Sequence, residues 1–201
     1  LTFTVNEWPD LQFTIPMVGE YNVNNALAAM AVGRLFHITP DRIKQALANV
    51  ELTENRAEWV TGENGEQILS DVYNSNPTAA KQVLKTVAEM PVEGRRIAVL
   101  GDMLELGEAS ARLHASLAAQ IDPDKIQEVY LVGEQMAALK TRLTEDGYPA
   151  AAIHYYQADQ LDQLSEDLQA TLTASDIVLL KASHGIHLEK VLDAIEKKQN
   201  D

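Results

Sequence analysis

The chain has 201 residues, 46% hydrophobic and 23% charged, with a formal net charge of -14. That is globular usage, which excludes disorder and fibrous repeats, and the acidic balance argues against nonspecific binding to nucleic acid or an anionic membrane. With no cysteine there are no disulfides or thiolate metal sites, and the apolar runs "IAVL", "VYLV" and "IVLL" fall far short of the roughly 20 residues of a membrane span.

The chain is therefore expected to be soluble, without nucleic-acid partners or membrane insertion. Its first residues, "LTFTVNEWPD", carry no basic region, apolar signal core or initiator methionine. Leu1 is accordingly expected to be a cut within a longer chain.

"LTFTVN" and "LQFTIPMVG" read as two short strands, a hairpin around the turn-like "EWPD". From Asn22 the texture becomes an Ala-rich helix, "NVNNALAAMAVGRLF". After "HITP" a second helix follows, "PDRIKQALANV", with Pro40 suited to its first turn. "ELTENR" (51–56) is polar and aperiodic, so a domain boundary is placed there, between 1–54 and 57–201.

"AEWVT" and "EQILSDVY" flank "GENG" and predict an antiparallel hairpin. Helices then alternate with short apolar strands. A helix from Pro77 is followed by strand "RIAVLG", helix "ASARLHASLAAQ", strand "EVYLVG" and helix "EQMAALKTRL". Strand "AIHYY", helix "QLDQLSEDLQATL", strand "DIVLLK" and helix "HLEKVLDAIEKK" complete the series. Runs that are apolar on both faces fit parallel strands covered on both sides. Leu161, Leu164, Leu168 and Leu172 lie at helical spacing and read as core. Residues 57–201 thus read as an α/β Rossmann-like, doubly wound domain, its sheet mostly parallel with an antiparallel edge strand.

Ligands of such sheets bind outside the carboxyl ends of the strands, so the residues after "SDVY", "VLG", "LVG" and "LLK" carry the information. There is no G-x-G-x-x-G after any strand and no G-x-x-x-x-G-K-[ST]. The histidines show no metal-ligand spacing, and no metal site is expected.

Asn22 and Asn25, near a helix start, offer either an N-cap or amide edges for a heterocyclic base. Arg56 is either a solvated ion pair with its acidic neighbours or a guanidinium on a hinge, delivered to phosphate when two domains close. In "SDVYNSNP", Asn76 and Pro77 suit a capped helix start. Asp71, Tyr73 and Asn74 are left over, and an acid at a strand end can chelate ribose hydroxyls. "VLGDMLELGEASARLH" is longer than an ordinary αβ connection and reads as a binding loop with Asp102, Met103, Glu105 and Leu106. His114 in its helix reads first as a structurally satisfied histidine. Lys181, Ser183 and the backbone at Gly185 offer a carboxylate site, weighed equally against a glycine turn with a snorkelling lysine.

The succession "GEYNVNNALAA", "ENRAE", "DVYNSNP", "VLGDMLELG" with a following His, "LVG" and "LLKASHG" resembles the Mur ligase family along nearly the whole chain. The resemblance implies the C-terminal part of a three-domain bacterial enzyme. Residues 1–54 would be the end of an α/β ATPase domain, and 57–201 a mobile Rossmann-like domain. The parent would be an ATP- and Mg2+-dependent amide ligase of peptidoglycan precursor synthesis, cytoplasmic and monomeric. Its substrates would be UDP-N-acetylmuramoyl-tripeptide and D-alanyl-D-alanine, joined through an acyl phosphate.

The same resemblance implies ATP contacts at Asn22, Asn25, Arg56, Asp71, Tyr73, Asn74, Asn76 and Pro77. It implies substrate contacts at Asp102, Met103, Glu105, Leu106, His114, Lys181, Ser183 and His184. Family members often carry His at the position of Tyr21 and K-G-S-R-G where this chain has Lys181 to Gly185. Without that arginine, Ser183, Lys181 or His184 would have to hold a carboxylate. The phosphate loop and metal ligands would lie upstream, so the chain alone is expected to be inactive. The alternatives are a folylpolyglutamate or cyanophycin synthetase tail, and a non-catalytic α/β binding module.

Overall fold

The computed structural model describes residues 1–50 and 57–197, and Arg56 lies outside the described residues. The chain divides into two units, Leu1–Thr53 and Glu54–Asp201.

In the first unit, β1 (Thr2–Val5) pairs antiparallel with β2 (Trp8–Thr14). The expected hairpin is present, but its turn is not at "EWPD". Val5 pairs with Trp8 and Thr4 with Gln12, so Pro9 to Leu11 fall in a register irregularity. Proline has no N–H to give a ladder and is tolerated where pairing is interrupted. Two helices follow, α1 (Tyr21–Leu35) and α2 (Pro40–Ala48), the latter with proline in its first turn. Phe13, Met30 and Ile43 form a small core, against which Phe3, Val5, Trp8, Leu11 and Leu47 pack.

The second unit is one six-stranded sheet. Its strands are β3 (Glu58–Thr61), β4 (Gln67–Asp71), β5 (Arg96–Gly101), β6 (Glu128–Val132), β7 (Ile153–Tyr156) and β8 (Ile177–Lys181). In space they run β3-β4-β8-β5-β6-β7, with β3 antiparallel to β4 and every other pair parallel. The helices are α3 (Pro77–Glu89), α4 (Ser110–Ala115), α5 (Ala137–Glu145), α6 (Leu161–Thr171) and α7 (Glu189–Ile195). The helix expected over "ASARLHASLAAQ" is composite, α4 being bracketed by 3-10 turns at Gly107–Ala109 and Ser116–Gln120.

Handedness explains the two layers. The steps from β4 to β5, β5 to β6 and β6 to β7 advance in one direction, and right-handed crossovers put α3, α4 and α5 on one face. From β7 to β8 the chain reverses across the sheet, which carries α6 and then α7 to the other face. There Leu161, Leu164, Leu168, Val191, Leu192 and Ile195 pack on Ile68, Val99, Tyr130 and Val178. The strand runs β5, β6 and β8 are buried on both sides, as their continuous apolar sequences require.

β8 lies between β4 and β5, whose following helices go to the opposite face from its own. Connections therefore diverge at the carboxyl ends of these three strands, and that divergence opens a crevice there.

Candidate functional site

Three loops meet at the crevice. From β4 comes Asp71 and the segment Val72 to Asn76, from β5 Asp102 to Gly107, and from β8 Ala182 to His187. Asp71 and Lys181 are register partners on neighbouring strands. Lys181 is almost fully buried, and its Nζ lies 2.8 Å from Asp71 Oδ2. The same ammonium donates to the Asn74 carbonyl at 2.5 Å and, more weakly, to that of Asp71 at 3.4 Å. A buried ammonium needs both a counter-charge and acceptors, and the β4 loop supplies them. Asp71 Oδ1 has no hydrogen-bond partner among the described residues, and Tyr73 and Asn74 beside it are exposed.

The helix start after this loop is as expected. The Asn76 side chain accepts the Ala79 N–H at 2.9 Å, with Pro77 in the first turn. Both residues thereby have a local structural role.

The β5 and β8 loops are bound into one body. Gly101 has no side chain because none fits: a β-carbon there would sit 2.7 Å from Ala182 Cβ and 2.9 Å from Ile186 Cγ2. Ser183 N–H donates to the Asp102 carbonyl at 3.1 Å, and Ser183 Oγ accepts the Leu104 N–H at 2.9 Å. The Asp102 carboxylate turns the other way and accepts the N–H groups of Gln135 and Met136 at 3.1 and 2.9 Å. Burial pushes its pKa above the ordinary value of 3.8, although those two amides pull it down. Met103 is buried, Leu106 is half-buried, and Leu104 and Glu105 stand exposed, Glu105 in the left-handed region at φ 64.

His114 is fully buried, with one ring nitrogen on the Met103 amide and the other on the Ser110 carbonyl. His184 is exposed. Its ring lies 6.1 Å from that of Tyr73 and 5.8 Å from that of His187, which is paired with Glu189 at 2.9 Å.

The structure thus brings together Asp71, Tyr73, Asn74, Lys181, Ser183, His184 and the 102–107 loop. Lys181, Ser183, Asp102 and, behind the 102–107 loop, His114 are buried and bonded within the protein, whereas the side chains of Tyr73, Asn74, Leu104, Glu105 and His184 are exposed. In the first unit, Asn22 is buried rather than capping. Its Nδ2 donates to the Val18 carbonyl at 2.7 Å, and its Oδ1 accepts from Asn25 at 3.1 Å, so it orients the exposed Asn25. The cap position belongs to Glu20, which makes no side-chain cap bond. Gly101 and the His187–Glu189 pair do not stand out in the sequence as site residues. Only the strand-closing glycine left a signal, in "VLGD".

The fold and the crevice define a doubly wound α/β domain of the class that takes ligands at the carboxyl ends of its strands. Comparison narrows that class. A family model described as "Mur ligase, glutamate ligase domain" matches residues 55–184, and the chain belongs to the Mur ligase family.

The UDP-N-acetylmuramoyl-tripeptide–D-alanyl-D-alanine ligase of Bacillus subtilis (strain 168) is 34% identical over 92% of this chain and 40% of its own length. The ligase of the same name from Escherichia coli (strain K12) is 29% identical over 91% of this chain and 38% of its own length. Among solved structures, MurF from Acinetobacter baumannii superposes with a TM-score of 0.75 at 23% identity, covering 91% of this chain and 39% of that one. MurF ligase from Thermotoga maritima in complex with ADP gives 0.74 at 24%, covering 92% and 40%. The chain therefore spans about two fifths of the relatives it matches. Among the described residues, no helix is long and apolar enough to cross a membrane.

Proposed function

We propose that this chain is the C-terminal part of an ATP-dependent amide ligase that adds D-alanyl-D-alanine to UDP-N-acetylmuramoyl-tripeptide in the bacterial cytoplasm. The observation that carries the reading is the 34% identity over 92% of the chain to a relative of that printed activity. Residues 1–54 are read as the end of the ATPase domain.

The crevice fits a nucleotide ribose. Lys181 fixes one Asp71 carboxylate oxygen and the other has no hydrogen-bond partner among the described residues, so the acid is held in a set orientation with acceptor capacity for vicinal hydroxyls. Tyr73 and Asn74 flank it. Asn25, oriented by Asn22, is assigned to the base, and Arg56 to the phosphates.

ATP with magnesium, when bound, supplies the phosphoryl group that activates a carboxylate as an acyl phosphate. Magnesium is assigned mainly to the part of the relatives that this chain does not cover. The outward groups of the second wall, Leu104, Glu105 and His184, are assigned to the amine substrate. His184 stands where an arginine would otherwise meet its carboxylate.

The test is substrate-dependent ADP release by the full-length protein that carries this chain. D-alanyl-D-alanine added with the UDP-linked tripeptide should stimulate it and yield the amide product by mass. Stimulation by glutamate with a folate acceptor instead, or by neither, would overturn the reading.

A further inference from the structure

Two consecutive backbone amides in the β5 loop are each taken by a side chain from a different element. Met103 N–H donates to His114 Nε2 on α4, and Leu104 N–H to Ser183 Oγ after β8, both at 2.9 Å. His114 Nδ1 lies 2.8 Å from the Ser110 carbonyl oxygen and 3.3 Å from Ser110 Oγ. A carbonyl only accepts and an amide only donates. Nδ1 therefore carries the proton and Nε2 is bare, so the buried ring is a neutral imidazole of one tautomer.

Just past this clamp the backbone is left-handed at Glu105 (φ 64) and again at Gly107 (φ 57). A glutamate holds that conformation only when its surroundings impose it. The outcome is an apolar side chain, Leu104, standing 43% exposed at the crevice. It is braced against Gly185, where a β-carbon would lie 2.9 Å from Leu104 Cδ1. A buried imidazole, a serine and a left-handed turn thus hold this side chain in one place at the carboxyl ends of the strands, next to the exposed Glu105 and His184.

We propose that His114 is a positioning residue for the ligase reaction: it fixes the Met103–Leu104 backbone so that Leu104 is a preset apolar contact for the methyl side chains of the incoming dipeptide. The ligand assignment rests on the ligase reading above, whereas the clamp rests on geometry alone. Replacing the imidazole with an alkyl group strands the Met103 amide, lets the loop relax and withdraws Leu104, without touching the Asp71–Lys181 pair.

The experiment has two arms. Steady-state kinetics on the full-length protein compare the unsubstituted enzyme with His114→Leu, His114→Gln and Leu104→Ala. The expected result is a rise of about tenfold in KM for the dipeptide in His114→Leu and Leu104→Ala, the order of one lost apolar contact. KM for ATP should be unchanged, and glutamine, which can accept the Met103 amide, should restore most of the loss.

The second arm reads the imidazole 15N shifts of the chain itself without substrate, which should show a protonated Nδ1 and a bare Nε2. An unchanged dipeptide KM in Leu104→Ala would overturn the proposal even if His114→Leu fails to fold. So would equal rises in both KM values, or a protonated Nε2. Absence of any dipeptide-dependent turnover in the unsubstituted enzyme would overturn the ligase reading and the ligand with it, and the shifts would then judge the clamp separately.

Discussion

Asp71 and Lys181 are register partners on adjacent parallel strands, and their charges meet 2.8 Å apart with the lysine almost fully buried. Removing one partner of such a pair leaves an uncompensated buried charge, at a cost of about 3 to 5 kcal/mol. Asp71→Ala is therefore expected to destabilise the chain by that order, because it removes the carboxylate that lies 2.8 Å from the buried ammonium. The double variant Asp71→Asn with Lys181→Met should be closer to the unsubstituted chain than Asp71→Ala is. Urea unfolding of the set decides it, and strictly additive losses would show that the pair is not coupled.

The same aspartate has a ligand-side consequence. In the full-length protein Asp71→Ala should raise KM for ATP and leave that for the tripeptide nearly unchanged. A charged hydrogen bond to a hydroxyl is worth about 1.5 to 3 kcal/mol, which amounts to tenfold or more. An unaltered KM for ATP would remove the ribose role.

Expressed alone, the chain is expected to show no magnesium-dependent ATP hydrolysis. On the proposed reading its groups at the crevice bind and orient, and activation of the phosphoryl group is assigned to the part of the relatives that this chain does not cover. Turnover above a heat-denatured control would relocate the catalytic residues into this chain.

Glu66, at the amino end of β4, gives a pH signature. It is 1% exposed, and its Oε2 has no hydrogen-bond partner among the described residues. Burial pushes its carboxyl above the ordinary 4.5, against the N–H groups of Glu66 and Asn64, with Asp176 and Glu63 adding to the rise. A raised folded pKa means that the native state holds the proton more tightly. That contribution to stability is present below about 4.5 and is lost as pH rises through the folded value. Glu66→Gln should therefore match the unsubstituted chain most nearly at pH 4 and gain on it as pH rises towards 8, read as urea midpoints. A constant difference across that range would refute the assignment.

Asn76 isolates a purely local contribution. Its exposed side chain accepts one helix-terminal N–H, so Asn76→Ala should cost about 1 kcal/mol. For a domain of this size that is roughly 2 to 4 °C in Tm, measurable by thermal circular dichroism.

Local chemistry made much of the fold legible. "IVLL" and "IAVL" fit strands covered on both faces, and "SNP" suits a capped helix start; both are present. "GENG" between two alternating runs marked the one antiparallel edge of the large sheet. The hairpin at the start was legible too, but its turn was misplaced because Pro9 looked like a turn residue and instead occupies a register irregularity. Asn22 was legible as a polar residue at a helix start. Its partner Val18 lies four residues back, where the cap rule does not look.

The candidate site divides in the same way. The strand-end motifs identified which loops carry polar residues, because in an α/β sheet those ends are where backbone and side chains are free to meet a ligand. Lys181, Asp71, Ser183 and the 102–107 loop each stood out alone. Nothing in their spacing says that Lys181 neutralises Asp71 across 110 positions, or that Ser183 and His114 take successive amides of one loop. Those pairings depend on strand order, since β8 inserts between β4 and β5, and strand order is set by long-range packing rather than by local propensity. Residue types and periodicity determined the elements and where polar groups would gather. Only the tertiary structure decided which of those groups hold the loops and which are left facing outward.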